Sequence, residues 1–442
     1  MIYQREIKEN NEYDVIVAGG GPSGCAAAAA SAREGKKTLL IESDGFLGGM
    51  ATSGLVPAWC PFSDGEKIIY KGLAERVFRA ATKPMAHIDE NRQFDWIPID
   101  AEVLKRVYDE MMLEFGVDTM FHSTVCDTVC NGAKLEKIIV SNKAGLTAYG
   151  AKMFIDCTGD ADLAVGAGAE YHFGDGGEVQ PSTMCFTVAN VDQYYYPLIG
   201  NMYPSNENSK VFDMIADEKY PLITDNHMCQ SLIGDGVVGF NAGHIFGVDN
   251  TDPMSVSSAE IQGRQLAFQL HSALAEYCPK VYGNSHLVQT SPRIGVRESR
   301  RIVGEYVLTI DDYLARRSFD DEIGRNCYYI DIHKGEQEAK SINNRDAFNK
   351  MESDAIRYKR GESHGIPYRC LVPKGVDNVL VAGRSISSDR IVQGSVRVMP
   401  TCLVTGEAAG VAAAVCCDSG AKAKNADVAL IRAKLSQNGC MI

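Results

Sequence analysis

Asp14-Val15-Ile16-Val17-Ala18-Gly19-Gly20-Gly21-Pro22-Ser23-Gly24-Cys25 runs from an apolar segment through a glycine cluster into the alanines Ala26 to Ala30. Asp14 to Gly19 reads as a short buried strand and Pro22 to Arg33 as an alanine-rich helix. Gly35 ends that helix, and Lys37 to Glu42 reads as a second strand. The three elements make a βαβ unit with Gly19, Gly21 and Gly24 spaced as GxGxxG at its first turn. The first glycine permits the tight turn, the second lets a pyrophosphate approach the backbone, and the third lets helix and strand pack closely. The helix N-terminus adds unpaired N–H groups and a positive dipole end. Glu42 closes the second strand and can accept hydrogen bonds from a ribose. A dinucleotide site is therefore expected, with an unphosphorylated adenosine ribose, which admits NAD or FAD and disfavours NADP.

With 45% hydrophobic and 23% charged residues among 442, the chain has ordinary globular composition and room for two or three domains. Acidic residues exceed basic ones by 57 to 44, and no stretch concentrates Lys and Arg, so no nucleic-acid partner is expected. The polar run Gln4 to Asn11 takes the place of a basic, apolar leader. The apolar runs Cys25 to Ala30 and Ala408 to Cys417 fall short of the roughly 20 residues that a membrane helix needs. These observations set the expectation of a cytoplasmic protein without a membrane partner. The 14 cysteines are scattered among apolar neighbours and contain no CxxC pair, which suits reduced thiols and leads to no expected metal site.

Helices are predicted at Ile69 to Ala81 and at Ala101 to Glu114, the latter capped by Asp100. Met120 to Cys130, Leu135 to Ser141, Leu146 to Tyr149 and Met153 to Cys157 read as an antiparallel meander returning to a core strand. Beyond it come a strand-like Thr183 to Asn190, a helix near Ser258 to Glu276, a buried strand Asn378 to Ala382 and a final helix near Thr401 to Cys417. The expected architecture is α/β: a Rossmann-like, three-layer dinucleotide-binding domain with an antiparallel β-meander, plus a mixed α+β substrate domain. Residues 1–175 and 361–442 form the discontinuous first domain, and residues 176–360 the substrate domain.

Leu47-Gly48-Gly49-Met50-Ala51-Thr52-Ser53-Gly54 follows the acidic strand, and Ile155-Asp156-Cys157-Thr158-Gly159-Asp160 and Val379-Leu380-Val381-Ala382-Gly383-Arg384 follow later. These segments resemble the FAD-dependent oxidoreductases related to succinate dehydrogenase and fumarate reductase, whose fold is of the glutathione reductase type. Gly295 to Ile302 and the block Ile366 to Ala412 resemble more closely a subfamily of FAD-dependent oxidoreductases without an assigned substrate. The resemblance implies FAD as cofactor, the Gly48–Gly54 segment passing the pyrophosphate and flavin, Val125 near the adenine, and Thr158 with Gly159 near the dinucleotide. It also implies that the N-terminus of the helix opened by Pro400 and Thr401 faces the flavin edge where reduction leaves negative charge. Arg384 departs from the broader pattern, in which an aspartate often follows that glycine. The expected cofactor-contacting set is Gly19, Gly21, Pro22, Ser23, Gly24, Glu42, Ser43, Gly48, Gly49, Met50, Ala51, Thr52, Val125, Thr158, Gly159, Asp160, Gly383, Arg384, Pro400, Thr401, Thr405 and Gly406.

On the substrate side, Arg297 and Arg300 would share one face of a helix running through Ile302 and Val303, where they could clamp an anion. The same spacing would also let Glu298 pair with Arg301 on a solvated surface. Tyr329, Asp331 and His333 alternate as on one strand face, where Asp331 could set the tautomer of His333 for proton transfer. Arg297 and His333 are the expected catalytic residues; His244 and His364 are weaker candidates, and Cys60 is expected to be a packed thiol. Without a second GxGxxG or a CxxxxC pair near the first loop, the chain does not look like a pyridine-nucleotide disulfide reductase. The expected activity is hydride transfer between flavin N5 and a small, anionic substrate, with a separate electron donor or acceptor as partner. An NAD-dependent dehydrogenase and a non-enzymatic flavin-binding protein are the alternatives.

Overall fold

Val15–Ala18 is apolar throughout and fully buried, a pattern that only a strand covered on both faces can satisfy. The computed structural model describes residues 4–88 and 95–442 and places that strand at the centre of a parallel sheet. In chain order the first elements are β1 (Lys8–Asn10), β2 (Val15–Ala18), α1 (Pro22–Arg33), β3 (Thr38–Ile41), α2 (Leu73–Thr82), α3 (Ala101–Phe115) and β4 (Asp118–Met120). They are followed by β5 (Thr124–Asn131), β6 (Lys134–Asn142), β7 (Gly145–Gly150) and β8 (Met153–Asp156). Asp100 caps α3 as its sequence position predicts, accepting hydrogen bonds from the backbone N–H of Glu102 and Val103.

After β8 the chain forms β9 (Tyr171–Phe173), β10 (Phe186–Ala189), β11 (Met228–Gly234), β12 (Val237–Ala242), α4 (Pro253–Tyr277), β13 (His286–Thr290) and β14 (Arg300–Ile302). It then returns through β15 (Glu322–Asn326), β16 (His364–Pro367), β17 (Val379–Val381) and α5 (Met399–Ser419). β17 pairs in parallel with β8, so the five-stranded sheet has the order β17-β8-β2-β3-β4 and is closed by a strand from far along the chain.

Alternation along β2 assigns its two faces. Val15 and Val17 join a core with α1, α3 and α5, whereas Ile16 and Ala18 pack with Leu135, Ile138 and Val140 of the meander. Helices on one face and the meander on the other make the three layers, as expected from sequence. A separate core unites the antiparallel sheet β11-β12-β10-β13 with α4. Leu308, Tyr313, Ile323 and Ile366 pack instead on the first core, so much of the segment after β14 is attached to the cofactor layer rather than to the second sheet.

Two local expectations fail. Residues 297–303 form no helix: Arg297 to Ser299 lie in irregular chain and Arg300–Ile302 is β14, paired antiparallel with β9. The i, i+3 spacing of Glu298 and Arg301 does bring them together, but as a buried ion pair at 2.6 Å rather than a solvated helical one. Tyr328 to His333 also form no strand: Ile330 N donates to the Ile356 carbonyl at 3.3 Å, but no ladder of such bonds follows.

α5 lies directly on α1. A Cβ built on Gly410 would stand 2.2 Å from the carbonyl oxygen of Ala27 and 2.8 Å from Ala30 Cβ. Gly410→Val should therefore destabilise the fold by about 1–3 kcal/mol or more through overpacking, read as a lower thermal midpoint with reduced flavin retention. An unchanged midpoint would mean that the two helices can separate freely.

Candidate functional site

The loop after β2 is shaped by backbone proximity. A Cβ on Gly24 would lie 1.7 Å from the Gly19 carbonyl oxygen, and one on Gly19, where φ is +95°, would lie 2.4 Å from that of Cys157. Gly21, by contrast, faces open space towards Gly49, 3.9 Å away. Glu42 is buried. Its Oε2 accepts from Gly20 N at 2.6 Å, and its Oε1 accepts from Ser43 Oγ at 2.9 Å and Asp44 N at 2.8 Å, so the carboxylate ties the two strand ends together.

These groups open on a single cavity of about 1230 Å³. Of the expected cofactor residues, Gly19, Gly21, Pro22, Ser23, Glu42, Ser43, Gly49, Met50, Val125, Thr158, Gly159, Asp160 and Arg384 line it. Gly24, Gly48, Ala51, Thr52, Gly383, Pro400, Thr401, Thr405 and Gly406 do not. They support the wall from behind: Thr52 Oγ1 donates to the Leu47 carbonyl at 2.8 Å, and Thr405 Oγ1 accepts from Gly383 N at 3.2 Å. At the start of α5 the exposed wall is made by Val398, Met399 and Cys402 instead.

Arg384, where the broader pattern has an aspartate, extends over Gly159 and forms an ion pair with Asp160 at 2.8 Å. Its Nε is buried without a partner, as is that of Arg397. Burial, with Asp156 and Asp160 nearby, pushes the Asp162 carboxyl up to about 6.

The far part of the cavity carries Arg297 and His333, both on its lining. Arg297 Nη1 donates to the Pro181 carbonyl and to Thr183 Oγ1, each at 2.8 Å, while Nη2 reaches Asn241 Oδ1 at 3.3 Å and His227 Nε2 at 3.5 Å. Burial, with Arg397 nearby, brings its guanidinium down to about 10. Arg300 does not join it; its side chain turns to Asp162 and to the Asp160 carbonyl, which removes the expected two-arginine clamp. Among the other cations on the lining is Arg397, which donates to the Asp331 carbonyl at 3.0 Å.

His333 Nε2 lies 3.5 Å from Asp331 Oδ1, so the two meet although no strand aligns them. Gln180 accepts from His333 N at 3.1 Å and donates to Gln393 at 3.0 Å; Gln393 in turn donates to the Arg297 carbonyl at 2.9 Å. Two further imidazoles complete the group: His244 Nε2 is 2.8 Å from His333 Nδ1, and the His227 and His244 rings stack at 4.2 Å. One ring nitrogen from each of the three lies within 4.8 Å of the others. Burial first, then the cation of Arg297 and the neighbouring rings, hold His333 well below the usual imidazole range; burial, His244 and Arg297 do the same to His227.

His227 was not anticipated and His244 was weighted too lightly. They flank the hairpin β11–β12, whose Met228 stands opposite Ala242, and the Asp235-Gly236 turn in the sequence was the signal that would have paired them. His364 lies away from the cavity, buried between Tyr313 and Tyr358. Cys60 lines the cavity, and its thiol is pushed up to about 12 by burial, which keeps it protonated.

The FAD dependent oxidoreductase family model matches residues 14–435, spanning both halves of the cavity wall. The chain belongs to this family. Among solved structures, this FAD dependent oxidoreductase resembles a geranylgeranyl bacteriochlorophyll reductase-like protein from Thermoplasma acidophilum at 13% identity, with a TM-score of 0.51 over 99% of this chain and 85% of that one. A triple mutant of the flavin-dependent brominase Bmp2 has 12% identity and a TM-score of 0.51 over 96% and 85% of the two chains. At such identities the likeness concerns the fold, and it does not single out the glutathione reductase or succinate dehydrogenase flavoproteins. No curated protein matches the sequence. The open choice from sequence is thereby closed: the protein is an enzyme, and its cofactor is FAD rather than NAD. The residues fit that group, since Glu42 stands at the end of β3 beside a glycine-floored loop and the buried, unpartnered Nε of Arg384 offers an N–H beside Gly159.

Glu42→Arg should cost FAD binding at least about 1.5–3 kcal/mol by removing charge-assisted hydrogen bonds at the loop. The ratio of flavin to protein absorbance after dialysis measures it, and full retention would place the ribose elsewhere. A separate prediction concerns His364, pushed down to about 3, chiefly by burial. The folded protein keeps this ring neutral to about pH 3, whereas the unfolded chain protonates it near 6.5, so its stabilising contribution is complete above about pH 6.5 and is lost progressively as the pH falls from there to about 3. His364→Phe should abolish about 2 kcal/mol of the stability difference between pH 7.5 and pH 5, measured by denaturant titration at the two pH values.

Proposed function

We propose that this FAD-dependent enzyme oxidises or reduces a small organic anion, with Arg297 holding the anionic group and His333 handling the proton. Kinship with the succinate dehydrogenase and fumarate reductase flavoproteins belongs to the same proposal. The observation that carries it is the shared cavity: the residues that suit a dinucleotide and the buried Arg297–His333 group line one space. When bound, FAD supplies a hydride acceptor or donor at N5.

The chain's own part is binding and proton control. Arg297 keeps Nη2 loosely held while Nη1 is fixed by two short bonds, so one edge of the fork stays available to a carboxylate. Burial is the main cause that keeps His333 neutral and the Arg297 charge adds to it, so an anion seated there would offset only the second contribution. Gln180 and Gln393 bind both residues through backbone groups and hold their spacing.

Anaerobic screening of pooled organic acids for flavin bleaching identifies the reductant. With it, Arg297→Lys should slow flavin reduction about 10²-fold at unchanged FAD content, because lysine keeps the charge but loses the planar fork. Stopped-flow rates within about twofold of wild type would remove Arg297 from the reaction.

A further inference from the structure

We infer that the anion taken by this site carries an aromatic or comparably bulky apolar body, and that Tyr203, Phe348 and Met351 are the residues that select it. The inference rests on the anionic-substrate reading for the carboxylate held by Arg297. The chamber that receives the rest of the molecule stands on its own geometry.

The cavity does not end at Arg297. His227 Nε2 is 3.5 Å from the Arg297 guanidinium, and past that ring the lining includes Met228 and Cys229 at the start of β11, together with Tyr203, Ile342, Phe348 and Met351. Burial pushes the Cys229 thiol up to about 12, and the charges it feels include both Arg297 and Glu352, so the guanidinium and this far wall are both close to it.

Two parts of the chain build the far wall. Tyr203 belongs to the segment between β10 and β11, where the Gln230 side chain fixes the backbone by accepting from Met202 N at 3.0 Å. Ile342, Phe348 and Met351 come from the connection between β15 and β16, which holds the helices Glu336–Ser341 and Arg345–Asp354. Ile323 of β15 and Ile366 of β16 pack in the first core, yet this connection reaches across to the chain leading into β11. There Asn226 Nδ2 donates to the Ile342 carbonyl at 2.7 Å, and Asn343 Nδ2 to the Thr224 carbonyl at 2.8 Å. Phe348 is buried but joins neither the first core nor that of the second sheet; its ring stands edge-on to Tyr203, with centroids 5.7 Å apart. Aromatic edges and a thioether held at a cavity wall, rather than inside a core, are surfaces that a ligand's ring can cover.

The charged groups at this end are already matched within the chain. Glu352 and Arg357 pair at 2.8 Å, and the Arg357 guanidinium lies over the Tyr329 ring, 4.4 Å from its centroid. Lys334 pairs with Glu338 at 2.8 Å. A ligand extending from Arg297 therefore meets apolar surface and neutralised ions, and a second charge on it would be desolvated there without a partner. A monoanion with an apolar body fits this wall, and a short dianion does not.

Calorimetric titration of the FAD-loaded holoenzyme with acetate, succinate, phenylacetate and phenylacetamide tests the inference. Phenylacetate should bind at least about tenfold more tightly than acetate or succinate, because covering a ring-sized apolar group is worth roughly that much affinity. Tyr203→Ala and Met351→Ala should each remove most of this preference at unchanged FAD content, while acetate binds as it does to the wild type. Equal affinities for the three acids, or no binding of phenylacetate, overturn the inference without any variant, and so does a preference that survives both substitutions. If phenylacetamide binds as tightly as phenylacetate and Arg297→Lys weakens neither, the apolar chamber stands and the anionic-substrate reading falls instead.

Discussion

The backbone of α5 rests on the backbone of α1, and the rest of the cofactor side is arranged around that contact. A Cβ on Gly406 would lie 2.1 Å from the Ser23 carbonyl oxygen, one turn before Gly410 meets Ala27, so nothing larger than hydrogen separates the two helices. The approach sets the first turn of α5, with Met399 and Cys402, beside Pro22 and Ser23 on the cavity wall. It also accounts for the alanine run in α1: residues 25–30 are completely buried, and longer side chains would hold the helices apart. The ion pair of partly exposed Arg33 with buried Glu407 at 2.8 Å closes the far end of the same contact.

In a chain with net charge −13 the cavity is lined by arginines as well as carboxylates. Arg297, Arg384 and Arg397 all line it, and the acids beside them are committed: Asp160 to Arg384, Asp331 to Arg397 and Tyr328, and Asp225 to His244. Desolvating a guanidinium is costly unless its donors are met, and Arg384 and Arg397 each keep a buried Nε without a partner.

The cofactor half was legible because its signals are local. A strand, a glycine turn, an alanine helix and an acid follow one another within 30 residues, and Asp100 announces α3 by the same short-range chemistry. The substrate half was not, because periodicity there is ambiguous. Glu298 and Arg301 have helical spacing yet are joined across an irregular turn into β14, and the alternation from Tyr329 to His333 is a strand pattern with no partner strand. What brings Arg297, His227, His244 and His333 together is tertiary: a hairpin end, a loop held by Gln180 and Gln393, and the edge of β10. Arg297 and His333 could be named from residue type, whereas their neighbours needed the hairpin register.

The parallel pairing of β17 with β8 has a consequence for biosynthesis. When the ribosome has delivered the chain through Asp156, four strands of the sheet exist, but the outer edge of β8 has no neighbour and the alanine face of α1 has no helix against it. Both are covered only after the second sheet and the whole of the intervening chain have been made, when β17 and α5 emerge. The nascent protein therefore carries an open, apolar sheet edge from Asp156 until β17 is made, the kind of surface that pairs with other chains or engages chaperones. The order of synthesis thus places the second sheet, with its own self-contained core, as the first unit able to fold to completion, and the nucleotide-binding layer as the last.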